Sequence, residues 1–169
     1  MAIAGFGYFA YQYINPSGQL LVTYDFCQDE TPYFSGLSPH GRVLDIDEQG
    51  CHQRMVIDQV YFDVRLPQSY RMVEIKINAE ILNEQPLAIG VGIDPDNWQW
   101  EFAEIIDDNV YLADLNQARF DNNRYRFIIS TPGLDVSGQE ILFHSLGLNF
   151  TKEPPNSITW KRLFNFLIK

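Results

Sequence analysis

Hydrophobic and polar residues alternate with a period of two along most of the chain, and helical periodicity is absent before the last sixteen residues. In residues 60–66, Val60, Phe62, Val64 and Leu66 share one face, while Tyr61, Asp63 and Arg65 share the other. In residues 72–81 the inward set Val73, Ile75, Ile77, Ala79 and Ile81 alternates with Met72, Glu74, Lys76, Asn78 and Glu80. Both patterns predict strands with one buried and one solvated face. Further strands are predicted at 20–26, 42–46, 54–57, 87–93, 98–106, 110–112, 124–130 and 140–150. Turn formers separate them: Pro67, Pro86, the Asp94-Pro95-Asp96-Asn97 run, Asp107-Asp108-Asn109, Asp121-Asn122-Asn123, and Pro132-Gly133. Proline fixes φ, glycine admits positive φ, and Asx side chains bond their own backbone. Many short strands with this punctuation predict an all-β fold, an antiparallel β-sandwich of the jelly-roll type.

The two ends depart from the alternation. Residues 1–17 begin with MAIAGFGYFAYQYI, an uncharged apolar stretch closed by Asn15 and Pro16. It is too short for a spanning helix, which needs about 20 apolar residues, and it has no basic n-region. It reads either as the outer end of a membrane anchor or as a first strand or buried arm of the domain. In residues 154–169, after Pro154 and Pro155, Ser157 is placed to cap a helix over 158–168. Trp160, Leu163, Phe164, Leu167 and Ile168 fall at helical spacing beside Lys161, Arg162 and Lys169. That basic amphipathic segment fits a helix packed on its own domain or one lying on a membrane or partner. Residues 18–153 are then the β-sandwich domain.

Charge narrows the choice of partners. The 169 residues carry 22 acidic and 12 basic side chains, a formal net charge of −10. Such a surface does not neutralise phosphates, so nucleic acid is excluded as a partner. Residues 1–41 contain no Lys or Arg, whereas the last eighteen residues hold four basic side chains against Glu153.

Motifs for catalysis fail at specific residues. Ser145 lies between Phe143 and Gly147, which breaks the nucleophile elbow at its first glycine. His40, His52 and His144 belong to no metalloprotease pattern, and His144 alternates with Leu142, Leu146 and Leu148 like a hydrogen-bonded core or interface histidine. Gly90 and Gly92 lack the third glycine of a dinucleotide fingerprint; they read as glycines that thin a strand where something packs closely over the sheet. Glu101 and Glu104 point to opposite faces of a regular strand, and Glu74 and Glu80 sit in a solvated stripe. No catalytic residues are assigned; a glycoside hydrolase or lyase built from distant carboxylates is the third reading after two non-enzymatic ones.

Cys27 and Cys51 are the two cysteines, and their spacing matches no zinc site. They read as one disulfide in an exported protein or as two free thiols. The segment Asp94-Pro95-Asp96-Asn97-Trp98-Gln99-Trp100 carries the most suggestive chemistry. Asp94, Asp96 and Asn97 offer hydrogen bonds to hydroxyl groups, and Trp98 and Trp100, on one face of a strand, offer flat apolar surfaces for the C–H face of a sugar. The competing role for both rings is to fill the sandwich core. No cofactor is implied beyond structural calcium, for which Asp45, Asp47, Asp107 and Asp108 are the candidate oxygen ligands.

The segments RMVIDQVYFDVRLP (54–67) and FIISTPGL (127–134) resemble pieces of exported bacterial jelly-roll domains that are themselves similar to carbohydrate-binding modules. The resemblance spans roughly residues 18–151 and implies an extracytoplasmic, membrane-anchored or cell-surface protein. Its leading functional implication is a non-catalytic module that binds a glycan or a surface protein. The second is a structural or protein-interaction domain held beside a membrane complex, such as a transporter, by contacts of its two ends.

Overall fold

The computed structural model describes residues 18–27, 31–81 and 86–152, so the apolar N-terminal segment and the amphipathic helix expected over 158–168 lie outside the described residues. Among the described residues ten strands run in order: β1 (Gln19–Asp25), β2 (Gln53–Met55), β3 (Val60–Arg65), β4 (Met72–Ile81), β5 (Ala88–Asp94), β6 (Gln99–Phe102), β7 (Glu104–Asp107), β8 (Val110–Asp114), β9 (Arg124–Ser130) and β10 (Ile141–Thr151). A 3₁₀ turn, Pro95–Asn97, joins β5 to β6, and the single-turn helix α1 (Leu134–Ser137) precedes β10. Among the described residues no helix is long and apolar enough to cross a membrane.

The strands form two antiparallel sheets. One has the order β1-β10-β4-β8-β7, with β2 also paired to β10; the other has the order β3-β9-β5-β6. The pairings β1·β10, β3·β9, β4·β8 and β5·β6 are nested inside one another along the chain. A long two-stranded ribbon rolled up on itself gives this nesting, and the rolled ribbon is a jelly roll. Alternation along each strand sends one set of side chains between the sheets. Val60, Phe62 and Val64 of β3, Tyr125, Phe127 and Ile129 of β9, and Ile89 and Val91 of β5 are buried from one side. Val73, Ile75 and Ile77 of β4 and Leu146, Leu148 and Phe150 of β10 are buried from the other. Phe127 stacks on Phe62 at 5.1 Å within its own sheet and meets Phe150 of the opposite sheet at 6.4 Å. Burial of such side chains, at about 1.5–3 kcal/mol each, is what holds the two layers together.

Three local features differ from the sequence expectation. In place of a strand over 42–46, Val43 alone makes isolated bridges, to His40 and Met55, because the alternation there buries Val43 alone and leaves Asp45 and Ile46 exposed. The strand expected over 98–106 is divided: Ala103, whose N–H donates to Ile89 O at 2.8 Å, marks the point where the chain leaves the four-stranded sheet for the six-stranded one. A bulge between Phe143 and Ser145 shifts the β10–β4 register, so His144 does not share the inward face of Leu146 and Leu148. It lies partly exposed, its Nδ1 3.1 Å from Cys51 O and its Nε2 3.2 Å from Glu80 Oε1. One inserted residue reverses which side chains face the core, and period-two reading cannot see it.

Cys27 and Cys51 form a disulfide with Cα atoms 5.0 Å apart. It ties the end of β1 to the turn 47–52, where Asp47 Oδ1 accepts the N–H groups of Gln49 at 3.0 Å and Gly50 at 3.2 Å.

Candidate functional site

The outer face of the four-stranded sheet carries an aromatic ridge whose position follows from strand register. Tyr61, Ile128, Gly90 and Phe102 stand in one row across β3, β9, β5 and β6. In the next row Asp63 pairs with Arg126, and Gly92 with Trp100. With no side chains at the β5 positions, large rings from β3 and β6 can close over the two strands between them. Tyr61 and Trp100 stack with centroids 5.6 Å apart although their strands are the two outer ones of four. A Cβ on Gly92 would collide with the Pro95 ring and sit 3.4 Å from Trp100 Cζ3; one on Gly90 would lie 3.0 Å from Ile128 Cγ2 and 3.3 Å from Phe102 Cδ1. Ile128 faces outward by register yet is only 2% exposed and stands apart from the main core, because the ridge covers it.

The expected pair Trp98 and Trp100 is brought together, but by a different route from the one predicted. Trp98 does not lie in a strand. It follows the 3₁₀ turn with φ +58°, its N–H donating to Pro95 O at 3.3 Å, and only Trp100 belongs to β6. Both rings nevertheless reach Tyr61, Trp98 edge-on at 6.3 Å. Trp98 is 64% exposed and Phe102 55% exposed, so neither fills the core, and Trp100 is half-buried with its Nε1 sealed and unpartnered among the described residues. An aromatic surface this open is uncommon unless something lies on it.

Beside the ridge lies a cleft of about 330 Å³ lined by Asp63, Asp96, Arg119, Asp121, Arg124 and Arg126 with Pro95 and Asn122. Arg119 is its hub. Its Nη1 donates to Asp96 Oδ2 at 2.6 Å and lies 3.8 Å from Asp94 Oδ1, and its Nη2 is 3.4 Å from Asp121 Oδ2. The hydrogen bond and charge of Asp96, aided by Asp121 and Asp94, hold the guanidinium pKa above its ordinary value. Asn97 Nδ2 donates to Asp94 Oδ2 at 2.7 Å. Arg126 forms a two-pronged pair with Asp63, Nε to Oδ1 at 2.8 Å and Nη2 to Oδ2 at 3.0 Å, and that pairing likewise raises its pKa. Guanidinium forks and carboxylates fixed this way present both donors and acceptors in set directions.

Asp94, Asp96 and Asn97 thus all border the ridge, and their polar atoms already hold one another and Arg119. Among the described residues no group of three or more His, Cys, Asp or Glu side chains converges as a metal site. Asp47 is occupied by the turn that it closes, and the N–H groups of Gly50 and Gln49 hold its carboxyl below the ordinary value. Asp107 Oδ1 accepts the N–H of Asp108 at 2.8 Å. Glu101 and Glu104 lie in different sheets, and Glu80 is engaged by His144.

Sequence reasoning missed Tyr61, Phe102, Asp63, Arg119 and Arg126. Tyr61 and Asp63 stand on the polar face of β3, where an aromatic among charged residues was the available signal. Arg119 lies outside any strand, and only the fold brings it to the cleft. A separate hollow of about 390 Å³ lies on the outer face of the six-stranded sheet, lined in part by Lys76, Asn78 and Ser145.

Neither a protein-family model nor a curated protein matches this chain. Among solved structures it is similar to the CBM22-1 xylan-binding domain of Paenibacillus barcinonensis Xyn10C, with a TM-score of 0.46 and 9% identity over 79% of this chain and 95% of that one. It is also similar to a family two carbohydrate esterase from Cellvibrio japonicus, with a TM-score of 0.38 and 12% identity over 81% of this chain and 36% of the esterase.

Proposed function

We propose that this jelly roll is a non-catalytic binding module whose ligand is a glycan lying along the ridge of Tyr61, Trp98, Trp100 and Phe102. The observation that carries the reading is an open aromatic strip beside a cleft whose donors and acceptors are held in place by ion pairs. Sugar rings need this combination: an apolar surface for their C–H face and oriented polar groups for their hydroxyls. The same two-sided chemistry suits a neutral or a charged sugar. The Cys27–Cys51 disulfide supports a place of action outside the cytoplasm, where such bonds persist.

The test is a glycan-array screen followed by titration of any hit against the parent protein, Trp98→Ala and Trp100→Ala. Trp98 is exposed, so its replacement should leave the melting transition nearly unchanged while weakening binding at least tenfold. A saturable hit whose affinity is indifferent to both replacements would overturn the reading.

A further inference from the structure

The β3–β9 ladder changes character one step beyond the Asp63–Arg126 pair. Arg65 and Arg124 are direct cross-strand partners there. The N–H of Arg65 points away from β9 and donates to Tyr33 O at 2.7 Å, so this is the non-hydrogen-bonded kind of pair, in which facing side chains stand closest. Like charges directly opposite one another destabilise a sheet. The compensation is slight: Arg65 makes no ion pair among the described residues, and Arg124 has only the 4.0 Å pair of its Nη1 with Asp63 Oδ2. Both oxygens of Asp63 already serve Arg126.

This row of like charge borders a hollow of about 200 Å³ lined by Tyr33, Ser35, Asp63, Arg65 and Arg124, and the hollow shares Asp63 and Arg124 with the cleft beside the ridge. Arg65, Arg119, Arg124 and Arg126 are four of the nine lysines and arginines among the described residues, gathered on one face of a chain whose net charge is −10. Such a chain repels anions in general. Asp94, Asp96 and Asp121 hold Arg119, and Asp63 holds Arg126, so the charge left for an anion there is that of Arg65, which has no ion pair among the described residues, and of Arg124, whose approach to Asp63 is 4.0 Å. A pair of facing arginine forks matches the oxygens of a carboxylate or a sulfate ester.

We propose that the glycan is anionic, and that a carboxylate or sulfate ester on it binds between Arg65 and Arg124 while its sugar rings run across the cleft to the ridge. This rests on the glycan reading above and adds the charge of the substrate. Each bound oxyanion would be gripped by two forks and would relieve the Arg65–Arg124 repulsion.

The test uses the full chain and oligosaccharides of several linkage types, each in three forms: a uronate, the same molecule with its carboxyls reduced to alcohols, and the reduced form bearing sulfate esters. Calorimetric titration should show at least one anionic form binding about tenfold or more tighter than its reduced counterpart. The uronate and sulfate arms distinguish the two sources of charge. Arg65→Gln and Arg124→Gln should each remove most of that preference while melting no lower than the parent, since both residues are exposed. Reduced forms that bind as tightly as the anionic ones, or a preference unchanged in both variants, would overturn the anionic assignment and leave the glycan reading standing. Absence of binding by every form of every linkage would sink both.

Discussion

Replacing Gly92 by alanine tests how the ridge is built. Gly92 has no positive φ, so the substitution introduces no backbone strain, and its effect comes from the space its methyl group would enter. That space is filled by the Pro95 ring, with Trp100 Cζ3 3.4 Å away. Pro95 is fixed in the backbone of the turn that carries Trp98, so it cannot swing aside as a long side chain would; the turn itself must move. Overpacking of this kind costs about 1–3 kcal/mol, offset by about 0.4–1 kcal/mol from the reduced freedom of the unfolded chain. The net loss is about 1–2 kcal/mol, a fall in Tm of roughly 2–8 °C for a domain of this size. Gly147 provides the control. A Cβ there meets nothing nearer than Lys76 Cβ and Lys76 O at 4.0 Å, so Gly147→Ala should gain about 0.4–1 kcal/mol and melt slightly higher. Thermal unfolding followed by circular dichroism, with tryptophan emission recorded in parallel, measures both. If Gly92→Ala melts as high as Gly147→Ala with unchanged emission, the closely packed account of the ridge is refuted.

Tyr125 Oη lies buried between Tyr70 O at 3.0 Å and Tyr70 N at 3.1 Å, so Tyr125→Phe should cost about 1–3 kcal/mol by stranding both backbone groups; a chemical-denaturation midpoint unchanged from the parent would contradict this. Burial raises the pKa of Tyr125 above its ordinary 10.0, with the Tyr70 hydrogen bond opposing, so the unfolded chain ionises first and the stabilisation, complete below pH 10, falls away as pH rises through the folded value. The parent should therefore lose stability more steeply than Tyr125→Phe across this alkaline range, and parallel pH profiles would count against it. Reducing the Cys27–Cys51 bond, which closes a separation of 24 residues, should lower stability by about 3 kcal/mol; identical melts with and without reductant would show that the bond constrains nothing.

The two sheets were legible in the sequence wherever alternation was long and regular. β4 and β9 fall where the pattern placed them, because alternate residues are buried along each: Val73, Ile75 and Ile77 on β4, and Tyr125, Phe127 and Ile129 on β9. The alternation failed where a single residue breaks the period: His144 at the bulge, Trp98 in the left-handed conformation, and Ala103 at the change of sheet. Half of the candidate site was legible as well, because Asp94 to Trp100 lies in one continuous segment. Tyr61, Arg65, Arg124 and Arg126 were not, since cross-strand register decides what stands beside what and a linear pattern does not contain it. Gly90 and Gly92 were the bridge between the two levels: a pair of glycines in an otherwise apolar strand marks close packing above it, and the rings of Tyr61 and Trp100 supply that packing.

The central claim is that a glycan lies on the outer face of the four-stranded sheet. It is tested most directly by following the indole N–H resonances and the backbone amides of isotopically labelled protein as an oligosaccharide is added to saturation. The account predicts shifts at Trp98, Trp100, Tyr61 and Phe102 that saturate with one affinity. Shifts confined to the hollow near Lys76, Asn78 and Ser145 on the opposite sheet, with Trp98 and Trp100 unmoved, would contradict it.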